Sequence, residues 1–266
     1  MKIAFIFIVK DGEEYLRRNI NSIKKFNQDI YAVENNSVDN TKQILSQSNL
    51  TKVIFLDLDD KHSTELCSAD EEYNCNKRTR RLAYVRQRGL DAVMNSGIEY
   101  DYVCMLDLDF YSFNYKQLLD MFTHMDKNKN IDAMFGMSHS PLGVPYDTGA
   151  IEPQSKTVQI RLKTQRYIDV ESAFSGFGIY RYSSLREADA KYDHVHTNGV
   201  EHIDFNRQLN KLIVDTHFNP IYGTPTLLNM LQGYLLQKSF ICICFLVIAI
   251  LVISSLLLHS KINKHI

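Results

Sequence analysis

Short apolar runs that stop abruptly at polar or acidic residues recur along the first half of this chain, and nothing else constrains its fold as strongly. Residues 2–9 (KIAFIFIV) are the first. They have no polar face, the pattern of a strand covered on both sides within a parallel sheet. Ile30–Val33, Lys52–Leu56, Tyr102–Leu106 and Ala133–Met137 repeat it. Between the runs the apolar period becomes helical. Leu16, Ile20, Ile23 and Phe26 mark a helix over Glu13–Phe26, Ile44 and Leu45 a shorter one, and Leu82, Val85, Leu90 and Val93 one over Arg78–Asn95. A further helix is predicted at Tyr115–Met125. Strand and helix alternating in this way predict an α/β fold around a Rossmann-like, mostly parallel, doubly wound sheet. Ligands of such sheets bind beyond the carboxyl ends of the strands.

The run 101–110 (DYVCMLDLDF) therefore deserves chemistry. It delivers two carboxylates, Asp107 and Asp109, to a strand tip, a pair that suits a hard divalent cation and the phosphates of a nucleotide. Spacing alone is weak support, because 20 Asp in 266 residues produce about one or two Asp-x-Asp triplets by chance. Asp57-Leu58-Asp59 is a second triplet. A long hydrophilic loop, about 59–77, follows it, and loops of that length are usually functional or mobile.

The C-terminal part has a different character. Residues 239–258 (SFICICFLVIAILVISSLLL) contain no charge, and twenty helical residues span about 30 Å, the thickness of a bilayer core. The expected organisation is a soluble domain over residues 1–230, a juxtamembrane segment 231–238, a transmembrane helix 239–258 and a short tail 259–266. Residues 3–9 are too short to span and have no cleavage site, which favours a buried strand over a signal peptide. The expectation is a single-pass, C-terminally anchored membrane protein with its large domain in the cytosol. The flanking Lys238, Lys261 and Lys264 orient the span only weakly. A net charge of −1 gives no electrostatic footing for nucleic acid. Cys67 and Cys75 lie in the polar loop, where they are either free thiols or, in an oxidising compartment, a pair.

Val33-Glu34-Asn35-Asn36-Ser37-Val38-Asp39-Asn40-Thr41 resembles the V-D-D-G-S-x-D-x-T turn of GT-A glycosyltransferases, the nucleotide-diphospho-sugar transferase superfamily. Ala83-Tyr84-Val85-Arg86-Gln87-Arg88-Gly89-Leu90 is similar to that group's A-x-x-R-N-x-G-L helix, with Gln87 replacing the Asn. Asp107-Leu108-Asp109 follows this helix in the family order, whereas Asp57-Leu58-Asp59 precedes it. Phe174-Ser175-Gly176-Phe177-Gly178 resembles the family's glycine loop, and Gly199-Val200-Glu201-His202 its x-E-D motif, with His202 in place of Asp. The variants look nearest to a fungal capsule-associated α-1,3-mannosyltransferase-like group.

The resemblance implies a GT-A fold and a metal-dependent hexosyltransferase. Its donor would be a sugar nucleotide and its acceptor a hydroxyl of a glycan, glycoprotein or glycolipid. It assigns Asp107, Asp109 and the late His217 to Mn²⁺ or Mg²⁺, and Glu34, Asn36, Asp39, Arg86, Asp107 and Gly176 to the donor. Glu201 is then the general base in an inverting reaction, or a group that orients the acceptor in a retaining one. Residue chemistry alone leaves other roles open: helix capping for Asp39, a solvated charge for Arg86, a plain turn for Gly176 and a structural imidazole for His217. Two other functions compete. A nucleotidyltransferase would need a glycine- and lysine/arginine-rich loop after the first strand, which Val9–Glu13 does not supply. A membrane-tethered, non-catalytic sugar-nucleotide or glycan-binding domain would tolerate loss of the carboxylates.

Overall fold

The computed structural model describes residues 1–58, 77–141, 143, 145, 148–192 and 200–222. The expected transmembrane helix, Asp59 of the second triplet, and Cys67 and Cys75 lie outside these residues. Among the described residues no helix is long and apolar enough to cross a membrane.

The predicted alternation is present. Strands β1 (Ile3–Val9), β2 (Asp29–Asn35), β3 (Lys52–Leu56) and β4 (Tyr102–Asp107) are connected through helices α1 (Glu13–Lys24), α2 (Thr41–Ser46) and α3 (Lys77–Met94). Beyond them come β5 (Phe110–Ser112), α4 (Tyr115–Lys127), β6 (Ala133–Gly136), α5 (Lys156–Thr164), β7 (Tyr167–Val170), β8 (Phe177–Arg181), α6 (Tyr182–Glu187), α7 (Glu201–Asn206), β9 (Leu212–Asp215) and β10 (Ile221–Tyr222). The main sheet has the order β3-β2-β1-β4-β8-β6-β9-β7, and β5 pairs with β10 in a separate two-stranded ribbon.

The sheet is mixed. β3, β2, β1 and β4 run parallel, as do β6 and β9, while β8 is antiparallel to both β4 and β6, and β7 is antiparallel to β9. Because β8 descends from the edge where β4 ends, with Leu106 opposite Phe177, the residues just before it are brought beside Asp107. That placement follows from strand direction and cannot be read from a periodicity that weakens after Ser138.

Both faces of β1, β2 and β4 are covered, which is why these strands read as unbroken apolar runs, while the edge strand β3 stays half exposed. Alternation along β1 sends Phe5 and Phe7 into a core shared with Leu16 and Ile20 of α1 and Phe122 of α4. Ala4 and Ile6 enter the opposite core, with Ala83, Leu90 and Val93 of α3. Gly89 is the closest approach of α3 to the sheet. A Cβ there would sit 2.6 Å from Ile6 Cγ2 and 3.2 Å from Val33 Cγ2, so the helix needs a bare position one turn after Arg86.

Gly89→Ala should therefore destabilise the domain, although alanine favours helix by about 1 kcal/mol over glycine. Overpacking of this kind costs about 1–3 kcal/mol. A denaturant midpoint equal to or above wild type would contradict the close approach.

Candidate active site

The carboxyl ends of β1 and β4 open into a cavity of about 550 Å³, lined by Lys10, Tyr15, Arg78, Leu82, Arg86, Asp107, Asp109, Glu201 and His202 among others. β4 carries Asp107 to the edge of the sheet, and Leu108, 2% exposed, anchors the turn between the two carboxylates. Asp57, by contrast, ends β3 at the far edge of the sheet, three strands from β4.

Arg86 lies at the centre. It is 6% exposed, its Nε donates to Glu201 Oε1 at 2.8 Å, and its Nη2 donates to Asp107 Oδ1 at 2.9 Å. One guanidinium thus joins α3, β4 and the first turn of α7, a forked geometry that lysine could not reproduce. It also packs over the Phe174 ring, 4.8 Å from the centroid, a contact supplied by the segment before β8. With these bonds Arg86 serves the protein's own carboxylates, where the sequence resemblance assigned it to a diphosphate.

Burial pushes the Asp107 carboxyl above its usual range, although Arg86 pulls it down. Tyr15 is pushed up as well, first by burial and then by the negative charges of Asp109 and Asp107. His202 is 1% exposed and stacks on Phe174 with centroids 3.5 Å apart. Burial, then the nearby Arg86 charge, hold its imidazole well below the usual range, so it is neutral. Its Nδ1 meets the Tyr192 hydroxyl at 3.1 Å and its Nε2 lies 3.7 Å from Glu201 Oε1.

The other expected site residues lie elsewhere. Glu34 is fully buried, and its Oε1 accepts the Ser37 N–H at 2.6 Å. Asn36 turns the chain at φ 55°. Asp39 accepts the N–H groups of Thr41 and Glu13, both at 2.9 Å. Slight burial would raise the Asp39 carboxyl, but these bonds and the Thr41 hydroxyl hold it below its usual range. None of the three lines the cavity. They interlock the β2–α2 turn with the β1–α1 turn, where Asp11 N–H donates to Ser37 Oγ at 2.9 Å and Gly12 N–H to Thr41 Oγ1 at 2.7 Å.

Gly176 takes φ 80°, but the space a Cβ would fill belongs to Tyr222, whose Cζ would be 2.5 Å away. The glycine admits that ring and does not leave an opening for a ligand. Its carbonyl accepts the Asp107 N–H at 2.8 Å.

His217 is also displaced from its expected role. It follows β9, three places from β4, or about 14 Å at ordinary strand spacing. It lines a separate cavity with His139 and Arg166. Among the described residues no group of three or more His, Cys, Asp or Glu side chains forms a metal cage.

Sequence reasoning missed Lys10, Tyr15 and Arg78. Arg78 had a usable signal, since Arg78, Leu82 and Arg86 follow one another at four-residue steps and share a helix face. Lys10 and Tyr15 had none beyond their nearness to a strand end.

No protein-family model and no curated protein matches this chain. Solved structures do. The S. aureus TarS 1–349 structure superposes at TM-score 0.52 with 19% identity, covering 84% of this chain and 60% of that one. The same protein in complex with UDP gives 0.54 and 17%, covering 85% and 61%. This chain therefore spans about 60% of the TarS structures' length. Mycobacterium tuberculosis glucosyl-3-phosphoglycerate synthase with Mn²⁺ and UDP-glucose gives 0.45 and 12%, covering 86% and 74%.

Because folding raises the Asp107 pKa, the folded state disfavours its charged form at neutral pH. Folding stability from this group grows as pH falls through the raised value and the proton binds. Asp107→Asn, measured with EDTA present, should therefore melt higher than wild type at pH 7, with the gap closing as pH falls. A lower melting temperature at pH 7 would show that the Arg86 pair outweighs desolvation. The chain has a mixed, mostly parallel α/β sheet consistent with the GT-A fold, the fold it shares with TarS.

Proposed function

We propose that this protein is a metal-dependent glycosyltransferase that moves a hexose from a sugar nucleotide to a hydroxyl of a glycan, protein or lipid acceptor. One observation carries the proposal: Asp107, Asp109 and Glu201 converge on one cavity whose only buried cation among the described residues is Arg86. Three carboxylates thus gather beside one buried guanidinium, and the charges of Asp109 and Asp107 add to the burial that pushes the Tyr15 hydroxyl up. That donor set fits a divalent ion held by one or two carboxylates, with its sphere completed by phosphates and water. Asp107 Oδ1 is engaged by Arg86, so Asp109 is the principal ligand and Asp107 assists. When bound, Mn²⁺ or Mg²⁺ would stabilise charge on the departing nucleoside diphosphate.

The chain's own groups divide the remaining work. Lys10 and Arg78, exposed on the cavity wall, would face the diphosphate ahead of Arg86, whose Nε and Nη2 are engaged by its two ion pairs. Arg86 instead fixes Glu201 and Asp107 in advance, so neither has to reorganise during reaction. The acceptor hydroxyl oxygen forms its bond to the anomeric carbon as the bond to the diphosphate oxygen breaks. Glu201 takes the hydroxyl proton on Oε2, since Oε1 is held by Arg86. Base catalysis of this kind inverts the anomeric carbon. We also read residues 239–258 as a membrane anchor with the domain on the cytosolic side, supported by the twenty-residue run without charge.

A panel of sugar nucleotides, assayed for donor hydrolysis and transfer with and without Mn²⁺, tests the proposal. Turnover should depend on the metal and vanish in a folded Asp109→Ala protein, while His217→Ala keeps wild-type metal dependence. Tight donor binding without turnover would favour the non-catalytic binding domain. Glu201→Gln should lower kcat with little change in acceptor KM. A rise in acceptor KM alone would make Glu201 an orienting group and remove the case for inversion.

A further inference from the structure

Helix α1 carries two polar side chains that the proposed chemistry leaves unused. Its core-facing stripe is Leu16, Ile20 and Ile23, and Asn19 lies on that stripe with 0% exposure. A buried amide without partners costs about 1–3 kcal/mol, so its bonds matter. Asn19 Nδ2 donates to the Leu108 carbonyl at 2.5 Å and to the Phe110 carbonyl at 2.6 Å. These residues stand on either side of Asp109. The exposed neighbour Arg18 donates Nη2 to the Phe110 carbonyl at 3.1 Å and Nε to Asn19 Oδ1 at 2.9 Å, which fixes the amide's orientation. Its guanidinium rests over the Tyr111 ring, 5.3 Å from the centroid.

The opposite side of the turn is also held. The Tyr222 hydroxyl lies 3.3 Å from the Asp107 carbonyl and 2.5 Å from the Gly176 carbonyl. The carbonyls of residues 107, 108 and 110 are thus each bonded to a side chain from outside the turn. Peptide groups are planar, so holding the Leu108 carbonyl fixes the peptide plane that enters Asp109, and holding the Phe110 carbonyl anchors the chain one residue beyond it, which together limit the directions the Asp109 Cβ can take.

We propose that Asn19, oriented by Arg18, is a positioning residue for Asp109, aiming its carboxylate into the cavity and so setting the cation affinity of the Asp107–Asp109 pair. The proposal rests on Asp109 being a cation ligand, as argued above. Neither Asn19 nor Arg18 touches substrate. A merely structural Asn19 would lower stability and leave the affinity of the folded protein unchanged.

The test is titration of the full chain with Mn²⁺ alone, followed by calorimetry and by electron paramagnetic resonance of the free ion, with melting curves alongside. Asp109→Ala should abolish binding. Asn19→Ala should weaken it by about tenfold, the usual scale for removing support behind a metal ligand. Arg18→Met, at an exposed position, should weaken it by about threefold, the equivalent of one modest hydrogen bond. Unchanged Mn²⁺ affinity in folded Asn19→Ala overturns the proposal while leaving Asp109 as ligand. If Asn19→Ala does not fold, Arg18→Met decides, and unchanged affinity there overturns it. Wild-type affinity in Asp109→Ala, or no Mn²⁺ binding by the wild-type protein, removes the metal site and this proposal together.

Discussion

The site depends on the bridge that Arg86 makes between Asp107 and Glu201. All three side chains are largely withdrawn from solvent, with side-chain exposures of 7%, 22% and 5%. Removing Arg86 from such a buried arrangement typically costs about 3–5 kcal/mol, because two carboxylates are left without their cation, whereas loss of Asp107 leaves the guanidinium paired with Glu201. The bridge therefore fixes more than its own geometry. It sets α3 against β4, brings the first turn of α7 to the same point, and draws Phe174 over the guanidinium. Gly89 makes the bridge possible by letting α3 lie close enough to the sheet.

A second layer of constraint lies in the loops. The β1–α1 and β2–α2 turns are tied by reciprocal bonds: Asp11 N–H to Ser37, Val38 N–H to Asp11, Glu13 N–H to Asp39 and Asn40 N–H to Glu13. Together they give the wall of the cavity a backbone that does not need a ligand to order it. On the other flank Tyr222 fills the place of a missing Cβ at Gly176 and reaches the Asp107 carbonyl. Sequence-distant segments are thus joined where strand order brings them together, the usual logic of a site at the carboxyl edge of an open sheet.

This explains what could be read in advance. β1, β2 and β4 were legible because two-sided burial leaves an unbroken apolar run, and the half-exposed edge strand Lys52–Leu56 was bounded to the residue by its apolar run alone. Helix α3 was legible from its period. The second half resisted because β7 and β9 are four-residue strands and α6 and α7 six-residue helices, too short for a periodic signal. The antiparallel entry of β8 has no local sequence mark at all. Residue types were easier to pick than residue roles. Glu34, Asp39 and Gly176 were noticed as parts of a turn or a glycine loop, yet the structure gives each an internal partner: Ser37 N–H, Glu13 N–H and the Tyr222 ring.

Arg86 shows why role is harder to infer than importance. An arginine on a helix facing a pair of carboxylates is compatible with holding phosphate or with holding the carboxylates themselves, and both uses want the same planar fork. Burial separates them. At 6% exposure, with Nε and Nη2 both engaged by carboxylates, Arg86 cannot offer an incoming diphosphate its Nε–Nη2 fork without releasing a carboxylate. Arg78, two four-residue steps earlier on the same face and open to the cavity, faces no such cost. The resemblance marks Arg86 alone, and it is the depth of the helix against the sheet that gives Arg86 its architectural partners and leaves Arg78 to solvent-facing work.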